Sequence, residues 1–429
     1  MKVLVVGSGG REHALVWKLA QSERISEMWC APGNAGIGGE KLRNGAAVQC
    51  VGIGAEDLAG LRKFAQEKRI ALTVVGPDNP LAIGITDYFQ EAGLKIWGPN
   101  KKAARFEGSK VFSQEFMERH GIPTAKSGTF TDVEAAKKFA ASLGGKCAVK
   151  ADGLALGKGV LICNSVAEAN AAIDEILLKG TFGAAGKRIV IQEFLEGVEV
   201  SLHALCDGTT AKLFPTSQDH KRALDNDEGL NTGGMGTYSP APFLAGAQLD
   251  AAGRAILEPW IAGCKAEGID YCGILYPGVM VTAQGPKVLE FNARFGDPET
   301  QVYMMRLEND LLELLEASIE RRLAKETLRW KDEAAVCVVM ASGGYPGSYA
   351  KGAPIAGLDE ARKIPMVKVF HAGTTLKNGQ VVTNGGRVLG VTALGKDISA
   401  ARDLAYIAVL KIHFDGAQYR RDIAAKALK

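Results

Sequence analysis

The sequence predicts an α/β protein whose N-terminal part is a doubly wound parallel sheet. Short β-branched runs alternate with helical patterns over the first hundred residues, as in sheets covered by helices on both faces. Hydrophobic residues make up 47% of the 429 residues and charged residues 23%, which is typical of a globular protein. Glycine is in excess, with 52 residues often gathered in short clusters. Loops that approach a ligand closely need such glycines.

The order of patterns predicts three domains packed together, with bounds at residues 1–104, 105–328 and 329–429. In the first domain we expect strands at 2–6, 28–31 and 72–75 and helices at 12–20, 58–68 and 83–92. Within the second, residues 124–193 predict a small sheet-and-helix unit with strands at 146–150, 159–163 and 188–193. The last domain begins with a strand at 334–341 and has a helix at 399–414.

Charge, hydropathy and cysteine usage exclude several classes of protein. The formal net charge of +3 argues against a nucleic-acid partner. No apolar run approaches the ~20 residues of a membrane span, and the N-terminus enters a strand too early for a signal peptide. Eight cysteines without a Cys-x-x-Cys pair predict small buried thiols rather than a zinc site or a disulfide framework. We therefore expect a cytoplasmic protein without a membrane partner.

Residues 287–299 combine an apolar strand with a cluster of charge. Side chains alternate along a strand, so Val288, Glu290 and Asn292 are expected on one face. A carboxylate and an amide oxygen on one face can hold a small hard cation such as magnesium. Arg294 follows, with a fork suited to phosphate or carboxylate. Glutamate and asparagine at this spacing are also common as plain polar residues at a sheet edge, so the metal site remains a hypothesis at this point.

The turn at residues 7–13 joins a predicted strand to a predicted helix, where free N–H groups and the helix dipole favour an anion. A dinucleotide-binding fingerprint fails, because Glu12 stands where a third glycine belongs and the second strand ends without an acid. A small phosphate ligand and a purely structural turn both remain open. Residues 76–81 end another strand of the same sheet, and such ends border the ligand crevice.

Two further segments suit a nucleotide. Residues 149–160 form a glycine-rich loop between two strands, and it is not a Walker A loop because its Gly-Lys pair leads into a strand. Its three glycines and two lysines predict a flap over phosphates, with a mobile hairpin carrying surface lysines as the alternative. Residues 190–199 place backbone groups beside carboxylates, which suits an adenine edge and ribose hydroxyls.

Polar loops at residues 217–222, 231–236 and 383–387 complete the set of candidate segments. The first carries four ionisable side chains in a row, and glycines follow it closely. A run of charge is usually a solvated surface, but glycines that permit close approach make a ligand-binding role equally compatible with it. The third loop again combines glycines with an arginine.

The motifs occur in the order GGREHA, GPDNPL, EGSK, VKADGLALGKGV, QEFLEGVEVS, SQDHKR, NTGGMG, EFNARFGDPE and TNGGRV. In this order the chain resembles the phosphoribosylamine–glycine ligases of the ATP-grasp superfamily, from residue 3 to about 423. The resemblance implies an N-terminal doubly wound domain, an ATP-grasp core with a mobile α+β lid and a small C-terminal α+β domain. It also implies glycine, 5-phosphoribosylamine and ATP as partners, glycinamide ribonucleotide, ADP and phosphate as products, and a monomer.

The resemblance implies a role for individual residues, which fall into four groups. The metal, Mg²⁺ or Mn²⁺, would be held by Glu290 and Asn292. ATP would be held by Lys110, Lys150, Glu193, Leu195 and Glu199, with Gly153, Gly157, Lys158 and Gly159 in the phosphate flap. The residues at the reacting groups would be Arg294, Asp219 and Lys221. Phosphoribosylamine would face Gly9, Gly10, Arg11, Glu12, Asn79, Pro80, Asp297, Gly386 and Arg387.

The chain departs from the family's pattern at a few positions. Leu230 stands where proline is expected before the NTGGMG loop, and Pro277 replaces a small residue. Residues 278–281 contain no acid, although many ATP-grasp enzymes carry a metal ligand on that strand. Two other functions stay open at this level: a different ATP-grasp ligase or carboxylase of purine metabolism, and a non-catalytic nucleotide-binding protein.

Overall fold

The computed structural model describes residues 1–154 and 159–428. Its first domain is a five-stranded parallel sheet in the order β3-β2-β1-β4-β5. The strands are β1 (Lys2–Gly7), β2 (Glu27–Pro32), β3 (Gln49–Cys50), β4 (Leu72–Val75) and β5 (Ile96–Trp97). The helices are α1 (Gly10–Leu19), α2 (Leu58–Lys68), α3 (Asp78–Ile83) and α4 (Ile85–Gln90). The doubly wound parallel sheet predicted from the sequence is confirmed.

The expected single helix at 83–92 is wrong, because two short helices occupy this region. Helix α3 begins at Asp78, directly after the sheet edge, and Gly84 separates it from α4 with a φ of 95°. A left-handed backbone of this kind is accessible to glycine at low cost and ends a helix. The earlier start places the 78–80 segment at a helix N-terminus beside the carboxyl end of β4.

The small unit predicted within the second domain is a four-stranded antiparallel sheet, which we call the lid. Helices α5 (Arg105–Gly108) and α6 (Lys110–Arg119) precede it. Its elements are β6 (Ser127–Phe130), α7 (Val133–Ser142), β7 (Lys146–Ala151), β8 (Val160–Asn164), α8 (Val166–Ile173) and β9 (Ile189–Glu193), with sheet order β6-β9-β7-β8. Alternate residues of β7 and β9 pack into the lid's own core, among them Cys147, Val149, Ile189 and Ile191. The opposite face of these strands is turned toward the central sheet.

The central sheet has the order β10-β17-β11-β12, with β18 paired to β17. The elements in chain order are β10 (Val198–Ser201), β11 (Ala204–Asp207), β12 (Ala211–Leu213), β13 (Gln218–Asp219), β14 (Arg222–Leu224), β15 (Glu228–Asn231), β16 (Gly236–Ser239), α9 (Gly246–Ala266), β17 (Cys272–Thr282), β18 (Gly285–Asn292), α10 (Glu299–Arg306) and α11 (Leu311–Ile319). Strands β17 and β18 form an antiparallel hairpin that carries the 287–299 segment.

The C-terminal sheet has the order β13-β16-β19-β23-β20, so two strands from the middle of the chain complete it. Its remaining elements are β19 (Ala334–Ala341), α12 (Leu358–Arg362), β20 (Val367–His371), β21 (Thr374–Lys377), β22 (Gln380–Thr383), β23 (Arg387–Gly395) and α13 (Ile398–Val409). Helix α13 ends at Val409, earlier than the expected residue 414. Strands β13 and β16 join this sheet to the polar loops at 217–222 and 231–236.

All eight cysteines are free, and six are buried, whereas Cys272 is partly exposed and Cys50 is exposed. The expectation of buried thiols is therefore wrong for Cys50. Within residues 1–154 and 159–428, no helix has the length and apolar character needed to span a membrane.

Candidate active site

A β-bulge in the β17–β18 hairpin arranges the residues from Val288 to Asn292. Gly278 pairs with Glu290 whereas Val279 pairs with Val288, so Leu289 is the extra residue. A bulge breaks the alternation of faces. Val288 therefore lies in the hydrophobic core with Phe291, and the expectation that Val288 shares a face with Glu290 and Asn292 is wrong. The bulge also frees the Leu289 carbonyl, which accepts a hydrogen bond from the lid residue Lys150 at 2.9 Å.

Glu290 lies among three lysines. Lys110 Nζ is 3.4 Å from Glu290 Oε2, and Lys150 and Lys221 add positive charge nearby. Burial alone would raise the pKa of Glu290, but the lysines outweigh burial and lower it to about 2. Burial lowers the pKa of Lys150 to about 8. The cluster brings positive charge and one ionised carboxylate together where the lid meets the central sheet. A polyphosphate with a bound cation requires both.

Arg294 is paired with a carboxylate that lies 187 positions earlier in the chain. Its Nη2 is 2.9 Å from Glu107 Oε1, and Glu107 Oε2 accepts from the Ala293 N–H at 2.8 Å. Burial by itself lowers the pKa of Arg294, but Glu107 and then Asp78 raise it above its ordinary value. Arg294 also donates to Asn292 Oδ1 at 3.4 Å. Glu107 thus fixes the guanidinium beside the Glu290–Asn292 face.

Asp219 and Lys221 form a second charged group together with Glu199, and Lys221 is close enough to Glu290 to lower its pKa. Lys221 Nζ is 3.5 Å from Glu199 Oε1 and 3.7 Å from Asp219 Oδ2. Burial, followed by the charge of Glu299, raises the pKa of Asp219 to about 8. The side chain of Asp219 is only 4% exposed. A buried carboxyl with so high a pKa has affinity for a cationic group that would restore its charge.

Asp297 joins the N-terminal turn to the C-terminal domain. Its carboxylate is 3.1 Å from Arg387 Nη2 and accepts from Gln301 Nε2 at 2.9 Å. Arg387 Nη1 also donates to the carbonyls of Gly233 at 2.6 Å and Asp297 at 2.7 Å. A Cβ on the neighbouring Gly386 would come within 2.3 Å of the Tyr345 ring. The backbone of the 384–387 loop can therefore pack tightly against the 342–349 segment.

The turn at residues 9–12 closes on itself through Glu12. Glu12 Oε2 accepts from the Gly9 N–H at 2.6 Å, and Oε1 accepts from Arg11 Nε at 2.5 Å. Arg11 also donates to the Phe295 carbonyl at 3.1 Å. A Cβ on Gly10 would lie 2.6 Å from Gln301 Nε2. The turn is thus packed against the 295–301 loop, and Glu12 fixes its backbone, which explains why no third glycine is needed.

The remaining predicted residues lie after the carboxyl end of β4 and at the end of the lid's last strand, β9. Pro80 is buried, whereas the Asn79 amide donates to Glu56 at 2.8 Å at the surface. Glu193 accepts from the Lys126 N–H at 2.9 Å and lies 3.3 Å from Lys287 Nζ. Leu195 is buried at the hinge between β9 and β10.

Two glycines of the predicted flap, Gly153 and Gly159, are described by the structure, and Gly157 and Lys158 lie outside the described residues. The Gly159 carbonyl accepts from the Ala151 N–H at 2.8 Å, which closes the base of the flap. Asp152 accepts from Ser109 Oγ at 2.8 Å and from the Val111 N–H at 3.1 Å, at the start of α6. The start of the flap is therefore tied to the helix that carries Lys110.

Sequence reasoning missed a group of buried residues behind the site. Glu299 Oε1 accepts from the Tyr276 hydroxyl at 2.6 Å and from Ser201 Oγ at 3.1 Å. His203 Nε2 accepts from the Gly296 N–H at 3.2 Å. These contacts hold the loop that carries Arg294 and Asp297. The signals available in the sequence were Tyr276 in an otherwise apolar segment and Glu299 at the end of the charged segment 287–299.

The sequence comparisons match three profiles of one family in chain order. They are the phosphoribosylglycinamide synthetase N domain over residues 1–107, the ATP-grasp (A) domain over residues 108–300 and the C domain over residues 335–426. The chain belongs to the phosphoribosylglycinamide synthetase family. This finding confirms the resemblance seen in the order of motifs.

Members of the phosphoribosylglycinamide synthetase family match the chain over its whole length. Phosphoribosylamine–glycine ligases of Allochromatium vinosum and Vibrio cholerae are 50% and 49% identical over 429 residues, covering 100% of this chain and 99% of each relative. A crystal structure of the Thermotoga maritima phosphoribosylamine–glycine ligase has a TM-score of 0.83 at 32% identity, covering 99% of this chain and all of that one. Biotin carboxylase of Campylobacter jejuni shares the fold, with a TM-score of 0.72 at 14% identity over 97% of this chain and 92% of that one.

The ATP-grasp architecture of the synthetase family implies a divalent cation, and the donor set of this chain fits one. Glu290 offers an ionised carboxylate, and Asn292, two residues along the strand, offers an amide oxygen. Across the described parts of the chain, no cluster of three or more His, Cys, Asp and Glu side chains could hold a metal. Two oxygen groups suffice for magnesium, which usually keeps waters and substrate phosphates as its other ligands.

Proposed function

We propose that the chain joins glycine to 5-phosphoribosylamine at the expense of ATP, in purine biosynthesis, through a glycyl phosphate intermediate. The observation that carries the proposal is the meeting of two groups of residues in one crevice. A group of lysines suited to phosphate surrounds Glu290, which is followed on the same segment by Asn292 and Arg294. The buried Asp219 lies 3.7 Å from one of these lysines, Lys221. The full-length similarity to phosphoribosylamine–glycine ligases supports the choice of substrates.

The chemistry explains why ATP is needed. An amine cannot expel an oxide anion from a carboxylate, so the carboxylate must first gain a leaving group. A glycine carboxylate oxygen attacks the γ-phosphorus of ATP, the bond to the bridging oxygen breaks, and ADP leaves. The nitrogen of phosphoribosylamine then attacks the carbonyl carbon, loses a proton, and inorganic phosphate departs. The protein contributes mainly positioning and charge neutralisation.

Arg294 and Asp219 suit the two ends of glycine. Arg294 is held by Glu107 and would stabilise the charge on the carboxylate and on the transferred phosphoryl group. Asp219 would receive the ammonium group, because a cation relieves the cost of its buried charge. Lys221 lies between Asp219 and Glu199 and would neutralise the phosphoryl oxygens.

The lid and its hinge would bind ATP. Lys110 and Lys150 would contact the polyphosphate. Glu193, Leu195 and Glu199, at and after the end of the lid's last strand, would contact the base and the ribose. The 153–159 flap, including Gly157 and Lys158, would cover the phosphates and exclude water, which would otherwise hydrolyse glycyl phosphate. A Mg²⁺ or Mn²⁺ ion held by Glu290 and Asn292 would neutralise phosphate charge when bound.

Phosphoribosylamine would lie between the first and last domains. The N–H groups at the turn of Gly9 and Gly10 and the guanidinium of Arg387 suit its phosphate. Arg11, Glu12, Asp297 and Gly386 would shape this pocket, and Asn79 with Pro80 would border it at the carboxyl end of β4. Its amine would then approach glycine beside Arg294.

The proposal extends to the domain boundaries, the cellular compartment and the oligomeric state of the chain. We propose boundaries near residues 104 and 328. The free cysteines suit a reducing compartment such as the cytoplasm. A monomer is proposed, which size-exclusion chromatography with light scattering would test.

The test is ADP release from ATP with glycine and with phosphoribosylamine made in situ from ribose 5-phosphate and ammonia. We expect release only when both are present, together with a divalent cation, and glycinamide ribonucleotide as product by mass spectrometry. Release at full rate with bicarbonate in place of glycine would indicate a carboxylase instead. Nucleotide binding without any release would indicate a non-catalytic protein.

A further inference from the structure

The segment at residues 418–424, which we call the clamp, follows helix α13 and packs against the loop at residues 219–227. It runs beside the end of β19, where Gln418 and Ala341 exchange two backbone hydrogen bonds of 2.9 and 2.8 Å. Arg420 lies within it, and the Arg420 side chain is 0% exposed. The proposed reaction gives no role to this segment. A buried charge is costly unless its partners are well placed, so the partners of Arg420 indicate what the clamp holds.

The guanidinium of Arg420 binds oxygens of the clamp and of the loop. Its Nε and Nη2 donate to the two carboxylate oxygens of Asp422 at 2.8 and 2.7 Å. Its Nη1 donates to Asp227 Oδ1 at 2.9 Å and to the Arg222 carbonyl at 3.2 Å. Asp422 Oδ2 in turn accepts from the Asn226 N–H at 2.9 Å. The clamp is therefore bound to both ends of the turn between Arg222 and Asp227.

The backbone of this turn has a conformation that residues with a side chain rarely adopt. Asn226 and Asp227 have φ values of 59° and 57°. Two consecutive left-handed residues cost free energy, and such strain persists only where the surroundings fix it. Asn226 donates to Asp422 and Asp227 accepts from Arg420, so the clamp supplies a contact to each strained residue. Strain of this kind is concentrated at functional segments.

His220 is the second link between the clamp and the loop. It is 2% exposed, and its Nε2 accepts from the Ala424 N–H at 3.2 Å. An N–H only donates, so the proton of the ring lies on Nδ1, which donates to the Gly236 carbonyl at 3.0 Å. Burial, followed by the charge of Arg420, lowers the pKa of His220 to about 4 and keeps the ring neutral at neutral pH. Hydrogen bonds at both ring nitrogens therefore fix the ring between the clamp and β16.

We propose that Arg420 and His220 are positioning residues for the glycine site, acting through the two neighbours of His220 in the chain. Side chains alternate in an extended segment, so Asp219 and Lys221 share the face opposite the His220 ring. Their charged groups are 3.7 Å apart. Fixing the ring thus fixes the carboxylate that would receive the glycine ammonium group. The inference rests on the proposed binding of glycine at Asp219.

The kinetics of His220→Phe test this role. Phenylalanine keeps a ring of similar size and removes both hydrogen bonds of the ring. We expect KM for glycine to rise roughly tenfold, because a carboxylate that is no longer fixed loses most of one charge-assisted contact. KM for ATP should stay within about twofold, since the loss is confined to glycine binding. A role in folding alone would lower the free energy of unfolding and leave both KM values unchanged.

Asp227→Asn is a milder variant that decides the matter if His220→Phe does not fold. It weakens the bond from Arg420 to the turn and keeps the paired contact of Arg420 with Asp422. We expect KM for glycine to rise about threefold, as for one weakened hydrogen bond. Arg402→Ala is the matched control, because Arg402 contacts the clamp from α13, where it donates to the Arg421 carbonyl at 3.3 Å. The control should leave both KM values unchanged.

Hydrogen exchange followed by mass spectrometry gives a measurement that needs no reaction. In both loop variants we expect faster exchange at the backbone N–H groups of residues 219–224, whereas β19 in the same sheet should exchange as in the unmodified chain. The control should change neither segment.

Two results would overturn the proposal in a chain that ligates glycine. One is an unchanged KM for glycine in the folded loop variants. The other is an equal rise in KM for glycine and for ATP, which would indicate a general loss of structure. Absence of glycine-dependent ADP release from the unmodified chain would instead refute the proposed function, and exchange at residues 219–224 would still decide whether the clamp fixes the loop.

Discussion

Replacing Arg294 by alanine should lower both turnover and the free energy of unfolding, because its guanidinium would act in the reaction and also pairs with a buried carboxylate. Its guanidinium pairs with Glu107 at 2.9 Å, and the two side chains are only 18% and 10% exposed. Losing one oriented charge donor lowers turnover by roughly 10²–10³. The same change leaves Glu107 buried without its partner. Breaking such a pair costs about 3–5 kcal/mol, and the residual exposure of Arg294 favours the lower end of that range.

A double variant distinguishes these two effects. Arg294→Ala with Glu107→Ala removes both charges, so we expect most of the lost stability to return while turnover stays low. Turnover is measured by ADP release, and the free energy of unfolding by urea denaturation. Arg321→Ala provides the matched control, because its pair with Asp270 is even shorter, at 2.7 Å, but the side chains are 52% and 57% exposed. That control should change stability by no more than about 1 kcal/mol.

Two results would refute this reasoning. Turnover of Arg294→Ala within threefold of the unmodified chain would remove Arg294 from the chemistry. A double variant no more stable than Arg294→Ala would show that the unpaired carboxylate of Glu107 is not the source of the instability.

Three further predictions concern the metal, a buried acid and the sugar phosphate. Glu290→Ala should abolish metal-dependent ADP release, and an unchanged magnesium titration would contradict the metal assignment. The fold keeps Asp219 protonated up to about pH 8, whereas the unfolded carboxyl ionises near pH 4, so its contribution to stability is lost as pH rises between these values. The free energy of unfolding of Asp219→Asn, measured by urea denaturation, should therefore rise by at least about 1 kcal/mol relative to that of the unmodified chain between pH 5 and pH 8. A difference between the two proteins that does not change with pH would count against the raised pKa. Arg387→Ala should raise KM for phosphoribosylamine roughly tenfold, from one lost charge-assisted contact, with KM for ATP unchanged; an equal rise in both would indicate a general loss of structure.

Local patterns predicted the fold well where local forces decide it. The strand at 72–75, the helix at 58–68 and the strand at 334–341 have the bounds expected from the sequence. The hydrophobic periodicity and the residues that begin or end an element lie within a few residues of each other. The local sequence therefore contains the whole signal for where these elements begin and end. The helix at 83–92 failed because Gly84 divides it and the sheet edge starts α3 earlier.

The candidate site was predictable in its residues but not in its contacts. The order of motifs indicated Glu290, Asn292 and Arg294 as site residues, and the structure places them close together. The partner of Arg294 was not predictable, because Glu107 lies on a short helix in another part of the chain. The bulge at Leu289 was equally hidden, since register depends on the partner strand. Its free carbonyl nevertheless fixes Lys150 and Gln192 of the lid.

The central claim is that a glycine carboxylate oxygen attacks ATP, and isotope transfer tests it most directly. Glycine labelled with ¹⁸O in its carboxylate is converted with ATP and phosphoribosylamine, and the inorganic phosphate is analysed by mass spectrometry. The account predicts one ¹⁸O atom in each phosphate released, because the attacking oxygen stays with phosphorus when the amine displaces it. Phosphate without ¹⁸O, formed together with glycinamide ribonucleotide, would contradict the glycyl phosphate route.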